Sequence, residues 1–222
     1  MVDESLGLPD SRWLKRALTF NFHPVAYLHD SWFDTLPYGD LMRRLRTMPR
    51  AAPQVSRHLL QALGLEQDYW YDFSDRRTRL ALLNGPTLER LFLYLGLTLR
   101  STELRGELLG ERLRPIKQAV GEDGFAFAVK RAPFLGGLPD FSFEPETDDP
   151  HTRFSLIGAR FCADQLPAEA LLKRMALKLP VAWSSLLTAN PQPSPVTIDP
   201  SLPPLLRKLI KELMPKWTPL FA

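Results

Sequence analysis

The side chains able to do chemistry are few and scattered. Four histidines stand at positions 23, 29, 58 and 151. No pair has the i,i+4 spacing that turns two imidazoles toward one metal ion. His23 and His29 are separated by Pro24, so no regular helix face carries both. Each histidine therefore reads as a local capping or hydrogen-bonding residue. The single cysteine, Cys162, excludes an internal disulfide and fits a reducing compartment. It reads as a small core residue, because a reactive thiol needs a neighbouring base. A phosphate-binding loop needs glycines followed by Lys and Ser or Thr, whereas Gly136-Gly137 is followed by Leu138-Pro139. The paired carboxylates Glu122-Asp123 and Asp148-Asp149 fall in polar turns, where solvent keeps them ordinary acids. No Gly-x-Ser-x-Gly elbow is present. The expectation is a non-enzyme with no catalytic, cofactor-binding or metal-binding residue and no cofactor.

The elements that would position any site are helices punctuated by 21 prolines. Helices are predicted over Ser11–Phe22, with Asp10 or Ser11 as cap, and over Leu28–Leu36, Asp40–Met48 and Gln54–Leu63, the last ended by Gly64. Gly85-Pro86 starts a helix that is apolar on nearly every side through Leu99, the mark of a central core element. Ser101–Leu109 and Glu111–Val120 read as shorter helices with a kink or restart at Pro115, followed by Phe125–Phe134. Leu166-Pro167 opens an amphipathic helix closed by Pro180, Asn190–Pro200 is a proline-rich linker, and Leu202–Met214 is the last helix. Residues 136–152 hold two glycines, three prolines and five acids, and read as an exposed, mobile loop. The fold expected is mainly α: one irregular multi-helix globular domain over 1–222 with a long acidic Pro/Gly loop, where any subdomain break would fall.

Charge and composition narrow the partners. Hydrophobic residues make up 45% of the chain and charged ones 24%, enough apolar material for a core without staples. Met1–Pro9 carries Asp3 and Glu4 with no apolar run behind a basic stretch, so no signal peptide is expected. No uninterrupted apolar run reaches the length of a membrane span. The net charge of +3 is spread over separate groups rather than drawn into one dense stripe, so nucleic acid is not expected as a partner. The most charged patches are Arg43, Arg44, Arg46 and Arg50; Arg76, Arg77 and Arg79; and the acids Glu144, Glu146, Asp148 and Asp149. One of these is expected to form an electrostatic docking face. Tyr69 and Trp70, within the run Tyr69-Trp70-Tyr71 and Phe73, are candidate anchors for a protein partner.

The segment Phe22-His23-Pro24-Val25-Ala26-Tyr27-Leu28-His29 resembles the Pro-x-Ala-Tyr-Leu-His stretch of the type III secretion SctK/YscK/PscK proteins. The likeness continues at Leu95-Gly96-Leu97-Thr98-Leu99, Leu177-Lys178-Leu179-Pro180 and Leu209-Ile210-Lys211-Glu212-Leu213-Met214-Pro215, and closes at Leu220-Phe221. The resemblance implies a cytoplasmic protein of the sorting platform beneath the injectisome. It would link the cytoplasmic domain of the inner-membrane ring protein SctD to the pod protein SctQ, and would reach the membrane only through partners. It transfers no established functional residues. The alternative is a secretion chaperone or regulatory binding module for exported proteins, although such chaperones are usually smaller and acidic.

Overall fold

Proline and glycine cut the chain into short helices whose apolar faces have to be buried against one another. The computed structural model describes residues 11–106, 110–135, 139–188 and 202–221, and for 11–13 and 110–112 the backbone alone. Its helices are α1 (Ser11–Phe22), α2 (Gly39–Leu45), α3 (Ala52–Ala62), α4 (Gly85–Leu99), α5 (Ser101–Gly106), α6 (Gly110–Lys130), α7 (Pro150–Ala163), α8 (Glu169–Ala176), α9 (Val181–Thr188) and α10 (Pro204–Leu213). Single 3-10 turns at Pro24–Ala26, Asp30–Thr35, Thr78–Leu82, Ala132–Phe134 and Pro215–Leu220 join them. No strand occurs among the described residues, so the mainly α expectation holds.

The centre is the pair α4 and α7. Leu88, Leu91, Phe92, Leu95 and Leu97 of α4 are fully buried, as are Phe154, Ile157 and Ala159 of α7. The two backbones touch. A Cβ on Gly96 would lie 1.8 Å from the Phe154 carbonyl oxygen, and one on Gly158 would lie 2.0 Å from that of Phe92. Only a residue without a side chain fits at either crossing point. Around this pair, α8, α9, α10 and the closing residues Leu220 and Phe221 complete the main core. A smaller core collects Val25, Leu28, Phe33, Met42, Val55, Leu59, Leu60 and Leu65, and is sealed by Leu177 from beyond α8.

Several boundaries differ from the sequence reading. Leu28–Leu36 forms a 3-10 turn over Asp30–Thr35, capped by His29, whose Nδ1 accepts from the Ser31 amide at 3.2 Å. The break in α6 falls at Gly121 (φ 77°, ψ 165°) and not at Pro115, which lies inside the helix. Only glycine adopts that backbone conformation readily, so the bend goes where the chain is freest. Phe125–Phe134 stops as an α-helix at Lys130 and tightens to 3-10 geometry over Ala132–Phe134. The helix expected from Leu166 to Pro180 is Glu169–Ala176, and α9, unforeseen, follows Pro180 at once. The Asp10 cap, residues 107–109, Gly136-Gly137 and the 190–200 linker lie outside the described residues.

The acidic segment corrects the expectation most. Its Phe141 and Phe143 are half-buried and packed on the core, with the Phe141 ring 5.4 Å from Phe161 in an edge contact. The Arg100 guanidinium donates to the carbonyls of Phe141 (2.7 Å) and Phe143 (2.8 Å). Pro150, His151 and Thr152 already belong to α7. Composition alone counts the acids and misses the two phenylalanines at i,i+2 that dock the strap.

Candidate interaction site

Helix α8 and the turn after it carry two cations into the interior. The apolar face of α8, Leu171, Leu172 and Met175, enters the core, and the same helix buries Arg174. The Arg174 guanidinium donates to the carbonyls of Asp68 (2.6 Å), Asn21 (2.8 Å), Leu65 (2.8 Å) and Phe20 (3.3 Å). One planar fork thereby ties the end of α1, the segment after α3, and α8. The Tyr69 ring stands 5.3 Å from the guanidinium carbon in cation–π contact. Beside it, Asn21 pairs with Trp70 in both directions, donating to its carbonyl at 2.7 Å and accepting from its amide at 2.9 Å.

Four residues further on, Lys178 is 5% exposed. Its Nζ donates to the carbonyls of Ala81 and Leu83, the latter at 2.7 Å, and faces the rings of Tyr27 at 5.0 Å and Phe20 at 5.2 Å. Burial, and then the positive charge of Arg16, push its pKa from the ordinary 10.5 down to about 7. A neutral amine has two N–H donors, so it serves both carbonyls without its charge. The Tyr27 hydroxyl donates to the Phe20 carbonyl at 2.7 Å, and burial raises its pKa.

Lys178 forms the floor of a cleft of about 640 Å³ walled by α1, the turn after Pro24 and the residues leading into α4. A second depression of about 520 Å³ shares Arg16 and Asn84 with it and continues along Arg90, Lys216 and Trp217. Arg16 stacks on Trp217, 4.6 Å from the ring centroid. On its outer side α1 shows solvent a row of apolar side chains at i, i+4 and i+8. Leu14 is 49% exposed, Leu18 42% and Phe22 37%. The Phe22 ring continues into Tyr69 (5.1 Å) and on to Tyr71 (6.2 Å further), itself 61% exposed. Ala17, Phe20 and Asn21 of α1 enter the core, while Leu14, Leu18 and Phe22 stay partly exposed among the described residues.

The structure separates the charged candidates. Arg43 lies among Asp30, Asp34 and Asp40, and Arg46 pairs with Asp30 at 2.9 Å. Both guanidinium groups also lie over the Phe33 ring, so this cluster serves the smaller core. Arg44 points to solvent with no acidic partner among the described residues. Glu144 pairs with Arg153 and Arg100, which also contact Glu103, and the Arg153 bond, foremost, holds its carboxyl below the usual range. Asp149 caps α7, accepting from the Thr152 amide at 2.9 Å and hydroxyl at 2.6 Å. Glu146 and Asp148 are exposed, with no basic partner among the described residues. No group of three or more His, Cys, Asp or Glu gathers in metal-binding geometry among the described residues. Among them, too, no helix is long and apolar enough to cross a membrane.

Residues 16–221, nearly the whole chain, match the family of YOP proteins translocation protein K (YscK). The chain belongs to the YscK family. It is accordingly a type III secretion protein, and the family is one of secretion machinery rather than a known enzyme family. Comparison with curated proteins and with solved structures finds no match. Within this YscK-family chain the separated blocks that carry the sequence resemblance meet in space. The His29 amide donates to the Leu177 carbonyl at 2.8 Å and the Trp32 indole to that of Leu179 at 3.0 Å. Sequence reasoning registered Lys178 only as a motif letter and passed over Arg174, Lys15 and Arg16. The available signal was a lysine flanked by two leucines that had to be buried.

Proposed function

We propose that this YscK-family protein is a non-enzymatic adaptor of the injectisome that links the cytoplasmic domain of the inner-membrane ring protein SctD to the sorting-platform pod protein SctQ. It works at the cytosolic face of the inner membrane and is held there by its partners. The observation that supports the reading is the exposed apolar stripe Leu14, Leu18 and Phe22 with Tyr71 beside it among the described residues. An amphipathic helix with apolar side chains on a solvent face is how a partner-binding protein presents itself. Aromatic anchors such as Tyr69 and Trp70 give such a face its strongest contacts. Arg44, Glu146 and Asp148, whose charges are not spent on ion pairs with described residues, are further candidates for polar contacts with partners.

Size-exclusion chromatography with light scattering tests it. The protein is mixed with the cytosolic domain of the ring protein, with the pod protein, and with both. Two binary complexes and one ternary complex are expected. Leu18→Glu with Tyr71→Glu is expected to abolish one of them and leave the melting temperature nearly unchanged. Binding to neither partner well above micromolar concentration would overturn the adaptor and favour a chaperone for exported proteins.

A further inference from the structure

We infer that the cationic cleft between α1, the N-terminus of α4 and the C-terminal 3-10 turn is a binding site for an acidic peptide segment, which presents carboxylates to Lys15, Arg16, Arg90 and Lys216 above the buried Lys178. The inference rests on the adaptor reading only for the source of that peptide, a partner in the secretion assembly. Among the described residues the two adjoining depressions are lined by the cations Lys15, Arg16, Arg90 and Lys216 and by no acidic side chain, with the Lys178 amine beneath them. Several other surface cations carry their own counterions: Arg43 has three acids, Arg77 has Asp75, Arg153 has two, and Lys173 has two. Lys15, Arg16, Arg90 and Lys216 have no acidic partner among the described residues. A concentration of like charge in a concave wall raises the local potential and attracts anions.

Two further features select the ligand. The cleft lies at the N-terminus of α4, a helix of 15 residues whose first turn is capped by the Asn84 side chain accepting from the Thr87 amide at 2.9 Å. The helix dipole adds positive potential there. The walls are also apolar in part, with Phe20, Leu82 and Leu83 beside the cations. A volume of about 640 Å³ with mixed walls suits a few side chains of a peptide, some acidic and some apolar. A nucleic-acid backbone would need a longer basic track with stacking faces along it.

The test is fluorescence anisotropy on the full chain with a labelled synthetic peptide of alternating glutamate and leucine, and with its glutamine counterpart. The glutamate peptide is expected to bind and to weaken as salt rises. The glutamine peptide is expected to bind at least about tenfold more weakly. Lys15→Glu with Arg16→Glu, both exposed positions on α1, is expected to remove binding, and Lys216→Glu on a separate element to weaken it. Unchanged melting temperatures show that these variants fold. Equal binding of the two peptides, or charge-reversed variants that bind as well as the parent, would overturn the inference. So would displacement of the peptide by millimolar inorganic phosphate, or tighter binding of duplex DNA through the same residues. Peptide binding that fails while the ring and pod complexes still form removes the cleft and leaves the adaptor standing.

Discussion

Replacing Lys178 by Met should leave a protein whose stability responds less to pH. The folded-state pKa of Lys178, about 7, lies below its ordinary value of 10.5. The unfolded chain therefore holds one more proton than the folded one between these values, and stability rises with pH across that window. At pH 6 the amine is charged in both states and the full burial cost is present. At pH 9 it is mostly neutral when folded and still charged when unfolded. The gain from pH 6 to pH 9 is about 2–3 kcal/mol, because each unit of displacement is worth about 1.4 kcal/mol. Arg16 and Tyr27 face the same amine, but the arginine stays charged and burial raises the tyrosine pKa, so Lys178 is the group that titrates. Lys178→Met removes the titration and also strands the carbonyls of Ala81 and Leu83, at roughly 1–3 kcal/mol each. The assay is urea unfolding of both proteins at pH 6, 7, 8 and 9. Wild type should exceed the variant by a margin that widens by about 2–3 kcal/mol from pH 6 to pH 9. A margin constant to within about 0.5 kcal/mol would refute the argument. If the variant does not fold, NMR titration of the Lys178 side chain in wild type decides the same point.

Three shorter predictions follow from the same geometry. Arg174→Met should cost at least about 3–5 kcal/mol, or prevent folding, since four carbonyls lose one guanidinium; Arg174→Lys should recover only part, because an ammonium cannot span them, and urea midpoints measure both. Gly158→Ala, whose Cβ would lie 2.0 Å from the Phe92 carbonyl oxygen, should lower stability by roughly 3 kcal/mol or more, read as a large drop in melting temperature, with Gly96→Ala behaving alike. Cys162, buried and with its pKa raised chiefly by burial, should resist a thiol reagent in the native state and react fully in denaturant.

Much of the fold was legible because it follows from spacing. The apolar positions of Leu88–Leu99, Leu171–Leu179 and Leu205–Ile210 recur with the helical period, and each set is buried as that period requires. What escaped has one physical cause. A hydrophobic pattern cannot say where a long polar side chain ends, so it singled out neither Arg174 nor Lys178. Both reach carbonyls left open by distant turns, and those turns exist only in three dimensions. The acidic segment was misjudged for the converse reason, since its charges drew attention from Phe141 and Phe143. The electrostatic candidates were legible as residue types and not as sites. Sequence shows Arg43 and Asp30, Asp34 and Asp40 as neighbours of opposite sign without showing that they offset one another.

The Arg174 fork also bears on how the chain is made. Its acceptors, Phe20, Asn21, Leu65 and Asp68, leave the ribosome 106 to 154 residues before the arginine that satisfies them. Translation at roughly 5–20 residues per second makes that interval several seconds to half a minute. For that time the end of α1 and the segment after α3 have open carbonyls and no lid, and the smaller core also lacks Leu177. The amino-terminal third therefore cannot finish folding during its own synthesis. It waits for α8, and during that wait it is exposed to chaperones, proteases and premature encounters with its assembly partners.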